Sequence, residues 1–490
     1  MAKIGAFELI DAVADSNTFH LWKAPTPDIN PSPTYEQQLV QAKETSGVDE
    51  SIIIGEARIN GVRTCFIIGE FSFLAGTIGR ISSERIVYAF ERATKEGLPV
   101  FASPTSGGTR VQEGTLAFVQ LLKISKAVAD FRSSNHPYIV YLRHPTTGGP
   151  LVSWGSLSHV TFAQPGALIG MLGPRVGQVL SGEPLPPGTQ QAENLNHWGL
   201  VDRVVEVGNL REHLIGVLDI IGSPPVTTSA PALDDSDGEE DAWQAIQATN
   251  NPNRPGFLNL INHTTTTFIP LWASQSSLTG NIVVGLADFG GFRCLTIGQE
   301  RNKTPTQVTT LNSLAATQRA TELAAQTNLP IVTFIDTFGI EVSRTGEEGG
   351  IASHIAMTVE ALVETPVPVV SVILGAGTGV SALSLLPADR TVCASRAWLA
   401  PLPLEGASQI LFRDPNHAPT LAAKQGIRPR DLRSAGVVDA IVPEQPDAAK
   451  EPQAFATRIA HAIHHQLQHL VKLPTEQRLN ERWLRFRNLI

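Results

Sequence analysis

Cysteine is scarce in this sequence: its 490 residues contain three, Cys65, Cys294 and Cys393, set far apart. They form no CxxC pair and no even-numbered framework, which excludes a disulfide scaffold and a structural zinc site and fits a reducing cytoplasm. Positive charge is also short, with 37 Lys and Arg against 46 Asp and Glu and a formal net charge of −9. That balance argues against broad nucleic-acid binding and against attraction to an anionic membrane. Residues 1–16 lack the basic start and apolar run of a signal peptide, so none is expected. One uncharged stretch, 365–388, has the length of a membrane span. Pro366, Pro368 and Pro387 interrupt it, as do Gly375, Gly377 and Gly379, so a buried strand, a tight turn and a helix explain it better.

What is present is enough apolar material for a large interior. Hydrophobic residues make up 42% of the chain and charged residues 17%, and the length implies roughly two to four domains. Residues 223–255 change character: Pro224-Pro225 opens the segment, an acidic run from Asp234 to Asp241 follows, and Pro252 and Pro255 close it. A proline-rich acidic run cannot build a core and reads as a linker between domains at 1–222 and 256–490. Trp243 and Ile246 near its end are apolar enough to dock on the second domain.

The same order of elements recurs on either side. Leu98-Pro99-Val100 answers to Leu329-Pro330-Ile331, and the strand-like run after Pro137 answers to the one after Pro368. Gly199-Leu200-Val201-Asp202 answers to Gly436-Val437-Val438-Asp439. An offset held at roughly 230–240 residues is a domain duplication, not a short solenoid repeat. Apolar strands at 51–54, 64–69, 100–103 and 139–142 alternate with helical patterns at 83–95, 111–131 and 313–326. Such strands, flanked by helices, imply sheets covered on both faces and an α/β fold.

Two turns could carry chemistry. The strand at 100–103 runs into Thr105-Ser106-Gly107-Gly108-Thr109-Arg110, followed by a helical pattern. Adjacent glycines permit close approach and positive φ, and amides at a helix start attract anions. The turn is either an oxyanion hole for a carbonyl oxygen that becomes negative or a plain tight turn. The neighbouring Val111-Gln112-Glu113-Gly114 and a second turn, Pro145-Thr146-Thr147-Gly148-Gly149, favour the first reading. In the second half the matching strand ends at Gly375-Ala376-Gly377-Thr378-Gly379-Val380-Ser381-Ala382. Its likeness to a dinucleotide GxGxxG is incomplete, and a Rossmann unit opens with that turn instead of reaching it late.

No nucleophile–base–acid set emerges. The thirteen histidines are scattered and Ser106 lacks a G-x-S-x-G frame. His461, His465 and His469 share a helical face beside His464, but without a carboxylate they read as a solvated face, and no metal is expected. His136 and His144 flank a strand and read as structural. Two oxyanion turns without a triad describe an enzyme that stabilises an enolate and takes its proton transfers from substrate or cofactor.

The run Ser106-Gly107-Gly108-Thr109-Arg110-Val111-Gln112-Glu113-Gly114, with Pro145 to Gly149 and Gly173-Pro174-Arg175, resembles the β subunit of bacterial acetyl-CoA carboxylase carboxyltransferase. Phe73-Leu74-Ala75-Gly76-Thr77-Ile78-Gly79 and Leu185-Pro186-Pro187-Gly188 extend the match. The second half is similar to the α subunit, through Phe334-Ile335-Asp336-Thr337, Glu347-Glu348-Gly349-Gly350, Leu404-Glu405-Gly406-Ala407-Ser408 and the tail at 473–486. The chain therefore resembles a β–α fusion.

That resemblance implies two tandem crotonase-like (ClpP/crotonase) domains built from ββα units, the first binding acyl-CoA and the second facing biotin. It implies transfer of a carboxyl group from carboxybiotin to acetyl-CoA or another short acyl-CoA, giving malonyl-CoA for fatty acid biosynthesis. The Gly107 and Gly108 amides would hold the thioester oxygen, with Ser106, Arg110, Gly148 and Gly149 binding substrate. Ser381 and Ala382 align with the biotin-side oxyanion pair, with Gly377 and Gly379 beside them. Only Met1, Met171 and Met357 occur, so the Met-Lys-Met biotin-attachment hairpin is missing, as is an ATP-binding phosphate loop. The implied partners are a separate biotin carboxyl carrier protein and its biotin carboxylase, and the implied assembly is a homo-oligomer, dimer or hexamer.

Departures fall mostly in the second half. Val380-Ser381-Ala382 stands where the family has Gly-Gly-Ala, and a β-branched valine restricts the backbone. Gln299-Glu300-Arg301-Asn302-Lys303 replaces a basic glycine-containing loop, Phe338 replaces a proline, and the β subunit's four-cysteine zinc ribbon is gone. These keep two alternatives open: a malonyl-thioester decarboxylase, and a weakened paralogue acting as a structural partner in a carboxylase complex.

Overall fold

Leu98-Pro99 and Leu329-Pro330 each follow a helix that stops on a left-handed residue. The helix Arg80–Glu96 ends at Gly97 (φ +66°), and Leu311–Thr327 ends at Asn328 (φ +53°). Glycine and asparagine are the residues that take this conformation most cheaply, and Leu-Pro then turns the chain into a strand. The computed structural model describes residues 4–222, 231–237, 241–272, 280–301 and 308–488. Two compact units emerge, Met1–Ser223 with Leu271–Ala273, and Pro224–Pro270 with Ser274–Ile490.

In the first unit seven strands run in the order His20–Leu21, Ile52–Ile59, Val62–Gly69, Val100–Ser103, Tyr138–Leu142, Val160–Ala163 and Arg203–Val204. The first three pair antiparallel and the rest parallel. Their continuous apolar runs are buried on both faces, as parallel strands under helices require. On one face Phe90, Phe131 and Tyr138 pack edge-on, with Phe90 and Tyr138 centroids 5.1 Å apart. Each such buried aromatic contributes about 1.5–3 kcal/mol.

The second unit repeats the plan. Ile282–Asp288 and Arg293–Gln299 pair antiparallel, then Ile331–Thr337, Val369–Thr378, Arg390–Ala394 and Ala440–Val442 follow in parallel. Even the last step is duplicated: Thr161 N–H donates to Asp202 Oδ2 at 2.6 Å, and Thr391 N–H to Asp439 Oδ2 at 2.7 Å. The fold is α/β, with two crotonase-like units. The stretch at 365–388 is the strand Val369–Thr378 and the short helix Gly379–Leu383, and no described helix is long and apolar enough to cross a membrane.

Residues 223–230 and 238–240 of the expected linker lie outside the described residues. From 231 onward the described part is built into the second unit. Ser236 N–H donates to the Ile441 carbonyl at 2.9 Å, and Asp235 accepts the Ile441 N–H at 2.8 Å and pairs with Arg433. Asp241 caps the helix Ala242–Thr249, whose Ala242 and Ile246 pack with Trp398, Leu404 and Leu421. Acidic residues that disfavour a core here supply a strand-edge acceptor and a helix cap.

Candidate active site

The first glycine turn is fully engaged with its own protein. Gly107 N–H donates to the Ala75 carbonyl at 2.9 Å, and Gly108 N–H to Ser106 Oγ at 3.0 Å. Gly108 sits at φ +118° and Gly76 at φ +63°, and a Cβ on Gly76 would lie 2.2 Å from the Thr105 carbonyl oxygen. These glycines allow the segment at 73–79 and the turn to pack backbone on backbone. Both amides thus have acceptors inside the protein, which disfavours the expected role of Gly107 and Gly108 in holding a thioester oxygen. Ala75, absent from the expected site, is the acceptor; its own φ of +56° is a feature that residue type does not announce.

Arg110 is engaged within the protein too. Its guanidinium is fully buried and bonded to Glu50 (2.9 Å to Oε2), to Ser51 Oγ (3.1 Å) and to the Thr77 carbonyl (2.8 Å). It clamps strand, turn and helix together and has no face left for substrate. Ser106 is likewise inward, its hydroxyl holding Gly108 and its carbonyl accepting Thr147 N–H at 3.0 Å.

The second glycine turn is different. Thr146–Thr147 pairs in parallel with Ile169–Gly170, and Gly148 N–H donates to the Gly170 carbonyl at 3.2 Å. Gly148 adopts φ +69°, and a Cβ there would come 3.3 Å from Gly108 Cα. Gly149 follows at the start of the short π-helical turn Leu151–Gly155, a backbone form that recurs at functional sites. Its N–H belongs to the first turn, where helix geometry supplies no acceptor. The sheet, the left-handed Gly148 and the turn together position the Gly149 amide at the end of the strand pair.

In the second unit only Gly379 of the turn needs a left-handed backbone, at φ +63°. Val380 and Ser381 sit in the helix Gly379–Leu383 with ordinary helical geometry, so losing glycine at those positions costs no strain. Gly375 and Gly377 are packing glycines: added Cβ atoms would lie 2.5 Å from Asp336 Oδ1 and 2.7 Å from the Trp398 carbonyl oxygen. Gly377 therefore serves close strand pairing instead of contacting substrate.

Ser381 is buried, and its hydroxyl meets Thr309 Oγ1 at 2.5 Å and Thr337 Oγ1 at 3.2 Å. Gln299 Nε2 donates to the Ser381 carbonyl at 3.0 Å, and Asn281 joins through Thr309 at 3.0 Å. This network anchors the helix from beneath, and no side chain caps its start. The Gly379, Val380 and Ser381 amides lie in the first turn. Ala382, also buried, stands one residue deeper, where i→i−4 geometry offers it the Thr378 carbonyl.

Beside this network burial raises the Asp336 carboxyl above its ordinary range, while Arg301 and Arg254 pull it back. Asp336 Oδ1 accepts Ala376 N–H at 2.9 Å and faces Arg301 at 3.6 Å, and Arg301 lies 4.6 Å over the Phe338 ring. Asn302 and Lys303 lie outside the described residues. Burial pushes all three cysteine thiols well up, so none supplies a thiolate. His465 and His469 are exposed on the helix Pro452–Leu470, His464 packs 4.7 Å from Phe292, and the described residues hold no cluster of three metal-ligating side chains.

The model for the carboxyl transferase domain matches residues 32–480. The chain is 44% identical over 490 residues to the probable biotin-dependent acyl-coenzyme A carboxylase beta3 subunit of Mycobacterium tuberculosis, covering all of this chain and 99% of that protein. It is 33% identical to the acetyl-coenzyme A carboxylase carboxyl transferase subunits beta/alpha of Salinispora tropica, over 99% of this chain and 91% of that one. The solved transcarboxylase 12S, described as a hexamer with methylmalonyl-coenzyme A bound, superimposes with a TM-score of 0.76 at 19% identity, over 96% of this chain and 90% of that one. At that identity the likeness speaks for the fold. The family model and the two end-to-end relatives settle the family: this chain belongs to the carboxyl transferases, with β-like and α-like halves fused in one polypeptide.

Proposed function

We propose that this chain is the carboxyltransferase of a biotin-dependent acyl-CoA carboxylase. It moves the carboxyl group of carboxybiotin, carried on a separate carrier protein charged by a biotin carboxylase, to the α-carbon of a coenzyme A thioester. With acetyl-CoA the product is malonyl-CoA. The observation that carries the reading is the Gly148-Gly149 turn, with Gly148 left-handed at φ +69°, at the end of a parallel strand pair.

An enolate oxygen gains negative charge as the α-proton leaves, and a preorganised amide lowers that cost. Gly149 is the donor on the acyl side, a role moved from the neighbouring Gly107–Gly108 turn. On the biotin side the Ser381 amide is the donor, with Ala382 behind it. Biotin fits this turn because its start has no side-chain cap, Val380 is exposed beside it, and the buried Ser381 hydroxyl and carbonyl are held from below. Carboxybiotin supplies the carboxyl group and this chain supplies position and hydrogen bonds. A homo-oligomer, dimer or hexamer, in the cytoplasm completes the proposal.

The test supplies purified chain with carboxylated carrier and acetyl-, propionyl- and longer acyl-CoAs. Formation of the corresponding malonyl-CoA or 2-alkylmalonyl-CoA supports the reading. Acyl-CoA binding without carboxyl transfer from any candidate carrier would overturn it in favour of a structural partner.

A further inference from the structure

The turn that presents Gly149 opens beside a cavity that an acetyl group would leave almost empty. Gly148 N–H bonds to the Gly170 carbonyl, and the next residue, Met171, has its carbonyl oxygen 3.9 Å from where a Gly148 Cβ would stand. Met171 also lines a cavity of about 550 Å³, together with Leu168, Leu172, Gly177, Leu180 and Leu185. Among the described residues that line it none is charged, and Gln178, Thr189, Gln190 and Gln191 supply its polar part. Gln190 closes one side by donating to the Leu172 carbonyl at 2.9 Å. Met171, Leu180 and Leu185 are 64%, 72% and 54% exposed, a concentration of apolar surface on one short segment. Scattered exposed apolar residues need no explanation, but a concave apolar group beside a candidate reaction centre does.

We infer that this cavity holds the hydrocarbon tail of a medium- or long-chain acyl-CoA, so that the chain selects acyl groups well beyond acetyl. The inference rests on the proposed acyl-CoA reaction and names its substrate class. A methylene needs about the 30 Å³ of a water molecule, so about 550 Å³ is more than a tail of roughly ten carbons requires. The Gly148-Gly149 turn adjoins Met171, so an acyl group held at that turn has the cavity beside it. The leucines and Met171 of the described wall offer such a tail apolar side chains.

Gly177 makes the inference testable. It lies in the helix Pro174–Ser181, lines the cavity, and an added Cβ would meet no atom within 4 Å. Its backbone is not left-handed, so Gly177→Phe fills space without strain and removes a helix-weakening glycine. The experiment measures dissociation constants of acetyl-CoA and decanoyl-CoA by calorimetry on the full chain. Each buried methylene strengthens binding about threefold, so wild-type protein should favour decanoyl-CoA by at least about tenfold. Gly177→Phe should bring the ratio of the two constants close to one. Leu185→Gln, at an exposed position, should reduce the ratio severalfold. Equal wild-type affinities, or a ratio unchanged by Gly177→Phe, would overturn the inference while leaving the carboxyltransferase reading intact. A shift in oligomeric state caused by Leu185→Gln, with no change in the ratio, would also overturn it and assign the surface to a second copy of the chain. Failure to bind either thioester would overturn both.

Discussion

The Gly107 N–H donates to the Ala75 carbonyl across 2.9 Å. That bond takes the most conspicuous glycine of the sequence out of the pool of anion donors and leaves Gly149 in its place. A Cβ on Gly107 would sit 3.6 Å from the Ala75 oxygen, an ordinary contact, whereas one on Gly148 meets Gly108 Cα at 3.3 Å on a backbone at φ +69°. Gly107→Ala should therefore keep kcat/KM within about tenfold, while Gly148→Ala should lose about 10²-fold or more, the cost of misplacing an oxyanion donor. Steady-state carboxylation of acyl-CoA by the two variants checks this. The reverse order would return the role to Gly107.

Breaking the buried Glu50–Arg110 pair should unfold the first unit early. Glu50→Gln removes the nearer of two carboxylates from a fully buried guanidinium, leaving only Glu113 at 3.5 Å, at a cost of about 3 kcal/mol. Urea unfolding followed by tryptophan fluorescence reads the shift. If Arg110 bound substrate instead of bracing the turn, the same change would alter KM and leave stability alone.

Ser381→Ala should cost stability before it costs turnover. It removes the hydroxyl shared with Thr309 and Thr337, worth about 1–3 kcal/mol for a buried network member. The backbone N–H survives, so the rate of carboxyl transfer should fall by less than roughly tenfold. Thermal unfolding and a single-turnover assay separate the two effects, and a large rate loss at unchanged stability would contradict the account.

Asp336 gives the second unit a pH signature. Burial holds its folded pKa above the ordinary 3.8, so on raising the pH the unfolded state releases this proton first. Its contribution to stability is thus greatest in acid and declines as pH rises from about 3.8 through the folded pKa. Asp336→Asn keeps an acceptor for Ala376 N–H and should flatten that decline. Melting temperatures of both proteins from pH 4 to pH 8 test it, with parallel curves as the contrary result.

The duplication, the α/β class and most strands were legible because they are local: apolar runs, Leu-Pro turns and a constant offset lie in residue order. The Gly-Leu-Val-Asp and Gly-Val-Val-Asp repeats even mark the same hydrogen bond, Asp202 to Thr161 and Asp439 to Thr391. The helix pattern at 111–131 was legible less exactly. Gly114 at φ +60° splits a 3-10 turn, Val111–Glu113, from the helix Gly114–Arg132. The acidic segment misled most, since composition reports solubility and not the strand edge or helix start where an aspartate will dock.

The sequence by itself determined that two glycine-bearing turns follow equivalent strands, and the family to which that pattern belongs. It could not determine which amides are free, because an N–H finds its acceptor through space: Ala75 lies 32 residues from Gly107, and Gly170 lies 22 from Gly148. Only the tertiary structure decided that Gly107 and Arg110 are braces, that Val380 is unstrained, and that the Gly148-Gly149 turn closes a parallel strand pair. The physical reason is that each buried donor must be satisfied once, and the fold distributes those partners.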